Sequence, residues 1–144
     1  MDRAGGQGEG SGPVPHGGHG RDPRGARGRA GEAIACRHLE RRGYTVIQRN
    51  YRSRYGELDI IARSGDVVAF VEVKARRGRV FGSPLEAIGA RKQAQLRRMA
   101  AMWLAEHQQD EGIGGLCFRF DAIAIMLDER DEAAQLHHLE DAFR

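Results

Sequence analysis

The sequence predicts an α/β domain in which helices flank a mixed β-sheet, with elements in the order αβββαβ(β). Short runs rich in Val, Ile and Phe alternate with two longer segments that have apolar residues at helical spacing. A Gly-Asp pair links two of the short runs, as expected for a hairpin turn. The 144 residues suffice for one domain with a substantial core.

The N-terminal segment, residues 1–28, is rich in Gly, Pro and Arg and is predicted to be disordered. It contains ten of the twenty glycines and three of the four prolines, without apolar periodicity. Such a segment buries too little apolar surface to offset the entropy lost on ordering. The folded domain is therefore expected to cover residues 29–144.

The first half of the domain is predicted to contain a helix followed by three strands. The helix covers residues 29–42, because Gly43 is a typical C-terminal stop. The strands that follow are expected over residues 44–50, 57–63 and 67–74.

A second helix is predicted over residues 84–107. Ser83 is its expected N-cap, Pro84 suits the first helical position, and Glu86 completes a capping box. Two more strands follow, over residues 117–127 and, more weakly, 135–140. On the first of these, Asp121 is expected to pair with Arg119 or with a helix residue in a structural role.

The hairpin turn at residues 65–66 fixes which residues face each other across the second and third strands. Paired residue numbers sum to 131, so Asp59 faces Glu72 and Glu57 faces Lys74. Two carboxylates that face each other repel unless a cation or a shared proton lies between them. The alternative for Glu57 and Lys74 is a simple cross-strand ion pair, worth under about 1 kcal/mol.

Two further charged residues fall on faces that are otherwise apolar. Glu32 lies on the apolar side of the first helix, and Lys92 lies within the apolar stripe of the second. Buried ionised groups are costly unless they are paired or bound to metal. The alternatives are that Glu32 supports its helix dipole and that Lys92 extends past the core into water. Lys74 and Lys92 are the only lysines among 23 basic residues, which indicates that both positions require a compact ammonium group.

Together, these side chains predict a catalytic metal site. Asp59, Glu72 and Glu32 offer the hard oxygen ligands that Mg²⁺ or Mn²⁺ prefers. Such an ion neutralises a scissile phosphate and activates a bound water. Lys74 is expected to orient that water or to stabilise the developing charge.

The basic charge is concentrated in the first half of the domain. Residues 29–82 hold twelve basic and six acidic residues, whereas residues 111–144 hold three and eight. This asymmetry favours DNA or another nucleic acid as the partner; the alternative is a solvated basic rim. The candidate phosphate contacts are Arg52, Arg54, Arg76, Arg77 and Lys92.

The sequence predicts a cytoplasmic protein without a membrane partner. It has no run of eighteen apolar residues and no apolar N-terminal segment typical of a secretory signal. Its two cysteines, Cys36 and Cys117, lack metal-type spacing and suit a reducing compartment.

The same residues carry a family resemblance. Asp59, followed thirteen residues later by Glu72-Val73-Lys74, looks like the PD-(D/E)xK nuclease signature, with Leu58 where the signature has Pro. Glu32 is similar to the helix Glu of archaeal Holliday-junction resolvases. Longer strings, among them GEAIACRHLERRGY, NYRSRYGELDIIA, FVEVKARR, FGSPLEAI and RFDAIAI, resemble the YraN-like family of uncharacterised bacterial proteins over roughly residues 27–140.

This resemblance implies a restriction-endonuclease-like core that binds nucleic acid, with Glu32, Asp59, Glu72 and Lys74 at motif positions and Lys92 as an accessory. We expect a metal-dependent nuclease that acts on DNA, in particular branched or damaged DNA. By analogy with junction-cutting relatives of this fold class, a homodimer is expected. The alternatives are a non-catalytic nucleic-acid-binding module and an adaptor whose acidic C-terminal part docks a protein.

Overall fold

The computed structural model of the protein describes residues 23–78, 88–110 and 112–144. Two helices and five strands follow one another in the predicted order, which confirms the α/β class. Their bounds are α1 Pro23–Arg41, β1 Thr45–Ser53, β2 Gly56–Ser64, β3 Val67–Arg77, α2 Ala90–His107, β4 Cys117–Leu127 and β5 Ala133–Phe143. No helix in these three ranges is long and apolar enough to span a bilayer.

The five strands form one mixed sheet in the order β1-β2-β3-β4-β5. All neighbours are antiparallel except β3 and β4, which are parallel. A parallel pair requires a crossover connection, and α2 lies in that connection. The sheet separates two cores: Leu39 of α1 packs with Val71 in one, and Trp103 of α2 packs with Phe70 in the other. The two helices therefore belong to different cores of a layered fold consistent with a restriction-endonuclease-like core.

The β2–β3 hairpin has the predicted register. Gly65 adopts φ +57 in the turn, and the five paired positions run from Ser64↔Val67 to Ile60↔Val71. Backbone pairing stops there, just before Asp59 and Glu72. Asp59 and Glu72 therefore lie just beyond the last backbone pair of the β2–β3 ladder.

Helix α1 starts earlier than expected and ends as expected. It begins at Pro23 rather than at residue 29, because proline suits the first turn of a helix. Residues 23–28 are thus helical, and the rest of the predicted disordered segment lies outside the described residues. At the other end Gly43 adopts φ +90, and the Tyr44 amide donates to the Leu39 carbonyl at 2.9 Å, which closes the helix.

Helix α2 begins six residues later than predicted. Ile88 and Gly89 are not helical, and Gly89 is the N-cap, with extended backbone (φ −72, ψ 174) and no side-chain cap. Glycine is an acceptable N-cap and a poor interior helix residue, so the helix starts after it. The predicted capping box at residues 83–86 lies outside the described residues.

The last strand, β5, is longer than predicted. It covers eleven residues, Ala133–Phe143, and pairs antiparallel with β4, which has the predicted bounds. Phe143 stacks on Phe120 with ring centroids 4.7 Å apart. Because β5 is an edge strand with many exposed positions, its sequence contains no Val, Ile or Thr, the β-branched residues by which strands are recognised.

Candidate functional site

Three carboxylates converge where α1 meets β2. Glu32, Glu57 and Asp59 each offer one oxygen, and these three atoms lie within 4.8 Å of one another. The structure thus brings two predicted ligands together and adds Glu57. The alternative of an ion pair between Glu57 and Lys74 is wrong: Arg52 Nε lies 3.6 Å from Glu57 Oε1, and Lys74 Nζ lies 3.4 Å from Glu72 Oε1. The two-residue spacing of Glu57 and Asp59 along one strand is the sequence signal that could have identified Glu57 as a third ligand.

Glu72 binds both lysines of the chain. Its Oε1 lies 3.4 Å from Lys74 Nζ and 3.4 Å from Lys92 Nζ. The Glu72 side chain is only 4% exposed, and its Oε2 is buried without a hydrogen-bond partner in the described part of the chain. Lys92 therefore does not simply extend into water. Two ammonium groups hold one oxygen of Glu72 and leave the other unsatisfied.

Asp59 connects the carboxylate cluster with Glu72. Its Oδ2 accepts a hydrogen bond from the Val73 amide at 2.8 Å. The Asp59 side chain is therefore bonded to the backbone of the residue that follows Glu72 in β3. Burial, and then the charge of Glu72, raise the pKa of Asp59 to about 8. The charges of Glu32 and Glu57 act in the same direction. The four acids therefore share one electrostatic environment.

Glu32 is positioned by tight packing of its helix on the sheet. At the preceding residue, Gly31, an added Cβ would lie 2.6 Å from Ala75 Cβ, so glycine allows α1 to approach β3 closely. Burial raises the pKa of Glu32, and a hydrogen bond with the Asn50 side chain opposes that rise. Since Glu32 is the tenth residue of α1, it lies beyond the first turn, and the helix-dipole explanation is wrong.

Asn50 was not predicted as a site residue. Its backbone is in the left-handed region, with φ +54, which Asn tolerates better than most residues. A single Asn within a predicted strand carries no sequence signal for this conformation. Only the fold places its side chain against Glu32.

The predicted phosphate contacts differ in their surroundings. Arg52 is 73% exposed beside the carboxylate cluster, and the Arg54 guanidinium lies over the Tyr55 ring. Arg76 is exposed near the end of β3. Arg77 binds Asp131 through Nε at 3.0 Å, which ties its guanidinium to the turn between β4 and β5. Arg52 and Lys92 are thus the two in direct contact with acids of the site.

A second polar cluster surrounds Asp121, which is fully buried on β4. It accepts hydrogen bonds from Arg119 Nε at 2.7 Å and from the Asp141 amide at 3.0 Å, and it lies 2.9 Å from His138 Nε2. Burial raises the pKa of Asp121, but these partners outweigh it and hold the pKa below the usual value. The second ring nitrogen of His138 lies 3.1 Å from His38 Nε2 of α1. The expected pairing with Arg119 is confirmed, and the contacts favour the expected structural role.

The chain also matches known proteins. Residues 31–125 match the model of the uncharacterised protein family UPF0102. The chain belongs to this family. UPF0102 proteins that it resembles include one from Rhodococcus jostii, 45% identical over 118 residues, which cover 82% of this chain and 96% of the relative. One from Acidothermus cellulolyticus is 44% identical over 124 residues (82% and 93%), and one from Moorella thermoacetica is 39% identical over 117 residues (81% and 94%).

These matches confirm the family resemblance seen in the sequence. The segment that matches the UPF0102 model runs from within α1 to within β4. It contains all four acids of the site and both lysines.

Proposed function

We propose that this UPF0102 protein is a divalent-metal-dependent, nuclease-like domain that binds nucleic acid and hydrolyses phosphodiesters of DNA, in particular branched or damaged DNA. The observation that carries the proposal is that the buried carboxylates lack sufficient hydrogen-bond partners and positive charge. Glu72 Oε2 is buried without a hydrogen-bond partner among the described residues, and the neighbouring Asp59 has a pKa raised to about 8. A cation between the carboxylates would relieve both conditions.

The donor set suits Mg²⁺ or Mn²⁺. Glu32, Glu57 and Asp59 lie close enough together to hold the ion. Glu72 is not one of these three but acts on the charge of Asp59, and it would complete the set. All four supply carboxylate oxygens, the ligands of hard cations. The bound ion would neutralise a scissile phosphate and lower the pKa of a water molecule. Asp59 would release its proton on binding, because a ligand must be ionised.

The two lysines have separate parts in this proposal. Both fix the orientation of Glu72 through Oε1, which leaves Oε2 available for the cation. Lys92 comes from the crossover helix and is the more enclosed, with 31% of its side chain exposed. Lys74 is 41% exposed, so its ammonium can also approach a phosphate oxygen or the attacking water. We assign Lys74 the role of stabilising the charge that develops on the phosphate.

Exposed arginines beside the acids would hold the nucleic-acid backbone. Arg49 Nη2 lies 3.9 Å from Glu32 Oε2, and Arg52 lies beside Glu57. Both side chains are exposed enough to exchange a carboxylate for a phosphate. Such contacts position a strand without reading its sequence.

A non-catalytic nucleic-acid-binding module is the second candidate function. The observation that favours it is the double lysine contact with Glu72, which partly compensates that carboxylate without any ion. In that case the basic surface alone would bind nucleic acid, and the acids would serve the fold.

Metal titration and cleavage distinguish these two functions. Isothermal titration with Mn²⁺ is expected to show binding in the micromolar to millimolar range for the wild type and no binding for Asp59→Asn. Asp131→Asn is the matched control, because Asp131 is partly exposed and bound to Arg77. With Mn²⁺, the wild type is expected to cut a flap or four-way junction, and Glu72→Gln is expected to bind the same DNA without cutting it.

Each outcome rejects a definite part of the proposal. Absence of Mn²⁺ uptake by the wild type would exclude the nuclease and leave the binding module. Absent or salt-insensitive DNA binding would exclude both, because phosphate contacts make affinity fall with salt.

A further inference from the structure

A basic cleft lies between the β1–β2 turn and α2. It has a volume of about 370 Å³ and is lined by Tyr55, Arg91, Ala94, Gln95 and Arg98. Arg91 and Arg98 form no ion pair with a carboxylate in the ranges that the structure describes. Uncompensated arginines around a concave surface fit an anionic ligand.

The cleft also contains an aromatic ring stacked with guanidinium groups. Arg54 Cζ and Arg98 Cζ each lie 4.8 Å from the centroid of the Tyr55 ring. The Arg54 Nη2 donates to the Tyr55 hydroxyl at 2.7 Å. Flat ring and guanidinium surfaces are the ones on which unpaired bases stack in strand-binding proteins.

The cleft is formed by a turn and a helix that also lead to residues of the acid site. Gln95 Nε2 donates to the Tyr55 carbonyl. At the adjacent Gly56, with φ +138, a Cβ would overlap the Gln95 side chain, so the turn fits closely against α2. Glu57, one of the acids of the site, follows this turn directly, and Arg91 is next to Lys92 on α2. Both elements that form the cleft therefore also contribute to the acid site.

We infer that this cleft binds an unpaired segment of the strand that enters the acid site, with Tyr55 stacking on a base and with Arg91 and Arg98 contacting phosphates. The inference rests on the proposed nucleic-acid function and specifies the substrate as one with unpaired nucleotides beside the cut. The bases of an intact duplex are stacked within the helix, so they cannot reach a ring inside a cleft. Arg91 and Arg98 lie about 10 Å apart along the axis of α2, far enough to contact two different phosphates of one strand.

The test compares binding of a blunt duplex and of the same duplex with a short unpaired overhang. Fluorescence anisotropy with the full chain in EDTA measures binding without any contribution from metal or cleavage. The wild type is expected to bind the overhang DNA more tightly. Tyr55→Leu is expected to weaken overhang binding by about 5- to 150-fold, the value of one base stack, and to leave blunt-duplex binding unchanged. Tyr55→Phe keeps the ring and is expected to retain the preference.

The arginines have a separate measurable effect. Replacing both Arg91 and Arg98 with Ala is expected to reduce the slope of log K against log salt by about 1.4 for the overhang DNA, since each single-strand phosphate contact contributes about 0.7. Arg97→Ala is the matched control on the same helix, because Arg97 Nε donates to the Arg144 carbonyl at 2.7 Å. This readout does not depend on the Tyr55 variants.

Equal affinity for blunt and overhang DNA would overturn the inference. It would also be overturned if Tyr55→Leu weakened binding of blunt and overhang DNA equally, or if the salt slope of the double arginine variant were unchanged. These results are independent of the metal site. Overhang preference without Mn²⁺ uptake would keep the cleft and reject the nuclease, whereas Mn²⁺-dependent cleavage without that preference would reject the cleft alone.

Discussion

The raised pKa of Asp59 makes the stability of the metal-free protein depend on pH in an unusual direction. In the fold this pKa is about 8, against an ordinary value of 3.8, because of burial and the charge of Glu72. Between these two pH values the folded state holds a proton that the unfolded state releases. The contribution of Asp59 to the free energy of unfolding is therefore fully present at low pH and is lost as pH rises toward 8. Asp59→Asn removes this titration and retains an acceptor for the Val73 amide.

The two pKa values bound the size of the effect. At 1.36 kcal/mol per pH unit, a pKa of about 8 in place of 3.8 corresponds to at most about 6 kcal/mol across the full interval. Between pH 5 and pH 7 the wild type is then expected to lose up to about 3 kcal/mol relative to Asp59→Asn. His38 acts in the opposite sense, since burial lowers its pKa, but it is present in both proteins and cancels in the comparison.

Urea unfolding in EDTA at pH 5, 6, 7 and 8 measures this difference. We expect the free energy of unfolding of the wild type to fall relative to that of Asp59→Asn at each step. Saturating Mn²⁺ at pH 8 is expected to restore part of this loss, because binding to the folded wild type adds about 2.7 kcal/mol at a concentration 100 times the Kd. A constant difference between the two proteins across the pH series would refute the electrostatic reasoning about the acid site.

Two further predictions concern packing and the second polar cluster. Gly31→Ala would place Cβ 2.6 Å from Ala75 Cβ, so it is expected to lower the free energy of unfolding by about 1–3 kcal/mol and to weaken Mn²⁺ uptake. Gly28→Ala has nothing within 4 Å of the new Cβ and is expected to have neither effect. Equal effects of the two variants in urea unfolding and calorimetry would contradict this. Asp121→Asn is expected to lower the free energy of unfolding by about 3–5 kcal/mol, because it breaks a buried ion pair. The partly exposed Asp131→Asn is expected to lower it by under about 1 kcal/mol. Equal losses in thermal unfolding would count against a stabilising role of the buried network.

The hairpin and the charged faces could be predicted because they depend on local chemistry. Gly65 supports the positive φ of a tight turn, and the apolar runs on each side fix the rest of the register. Glu72 and Lys92 were identifiable because a charge on an apolar face requires a partner. The structure shows that they are partners of each other, although nothing in the sequence links positions 72 and 92.

Features that depend on how distant segments pack could not be predicted. Glu57 pairs with Arg52 rather than Lys74 because the β2–β3 ladder stops before both residues. The contact of Asn50 with Glu32 depends on the packing of α1 on the sheet. The cleft at Tyr55 likewise requires the β1–β2 turn to meet a helix forty residues away. In each case tertiary contacts override the local pattern.

The parallel pairing of β3 with β4 has a consequence for the order in which the charges meet. Pairing within β1, β2 and β3 closes short loops, whereas the β3–β4 pair requires the whole crossover to fold back, and contacts distant in sequence form slowly. The chain is also synthesised from its N-terminus, so Asp59 and Glu72 leave the ribosome before Lys92 does. A nascent chain therefore carries mutually repelling acids ahead of one of the ammonium groups that hold them.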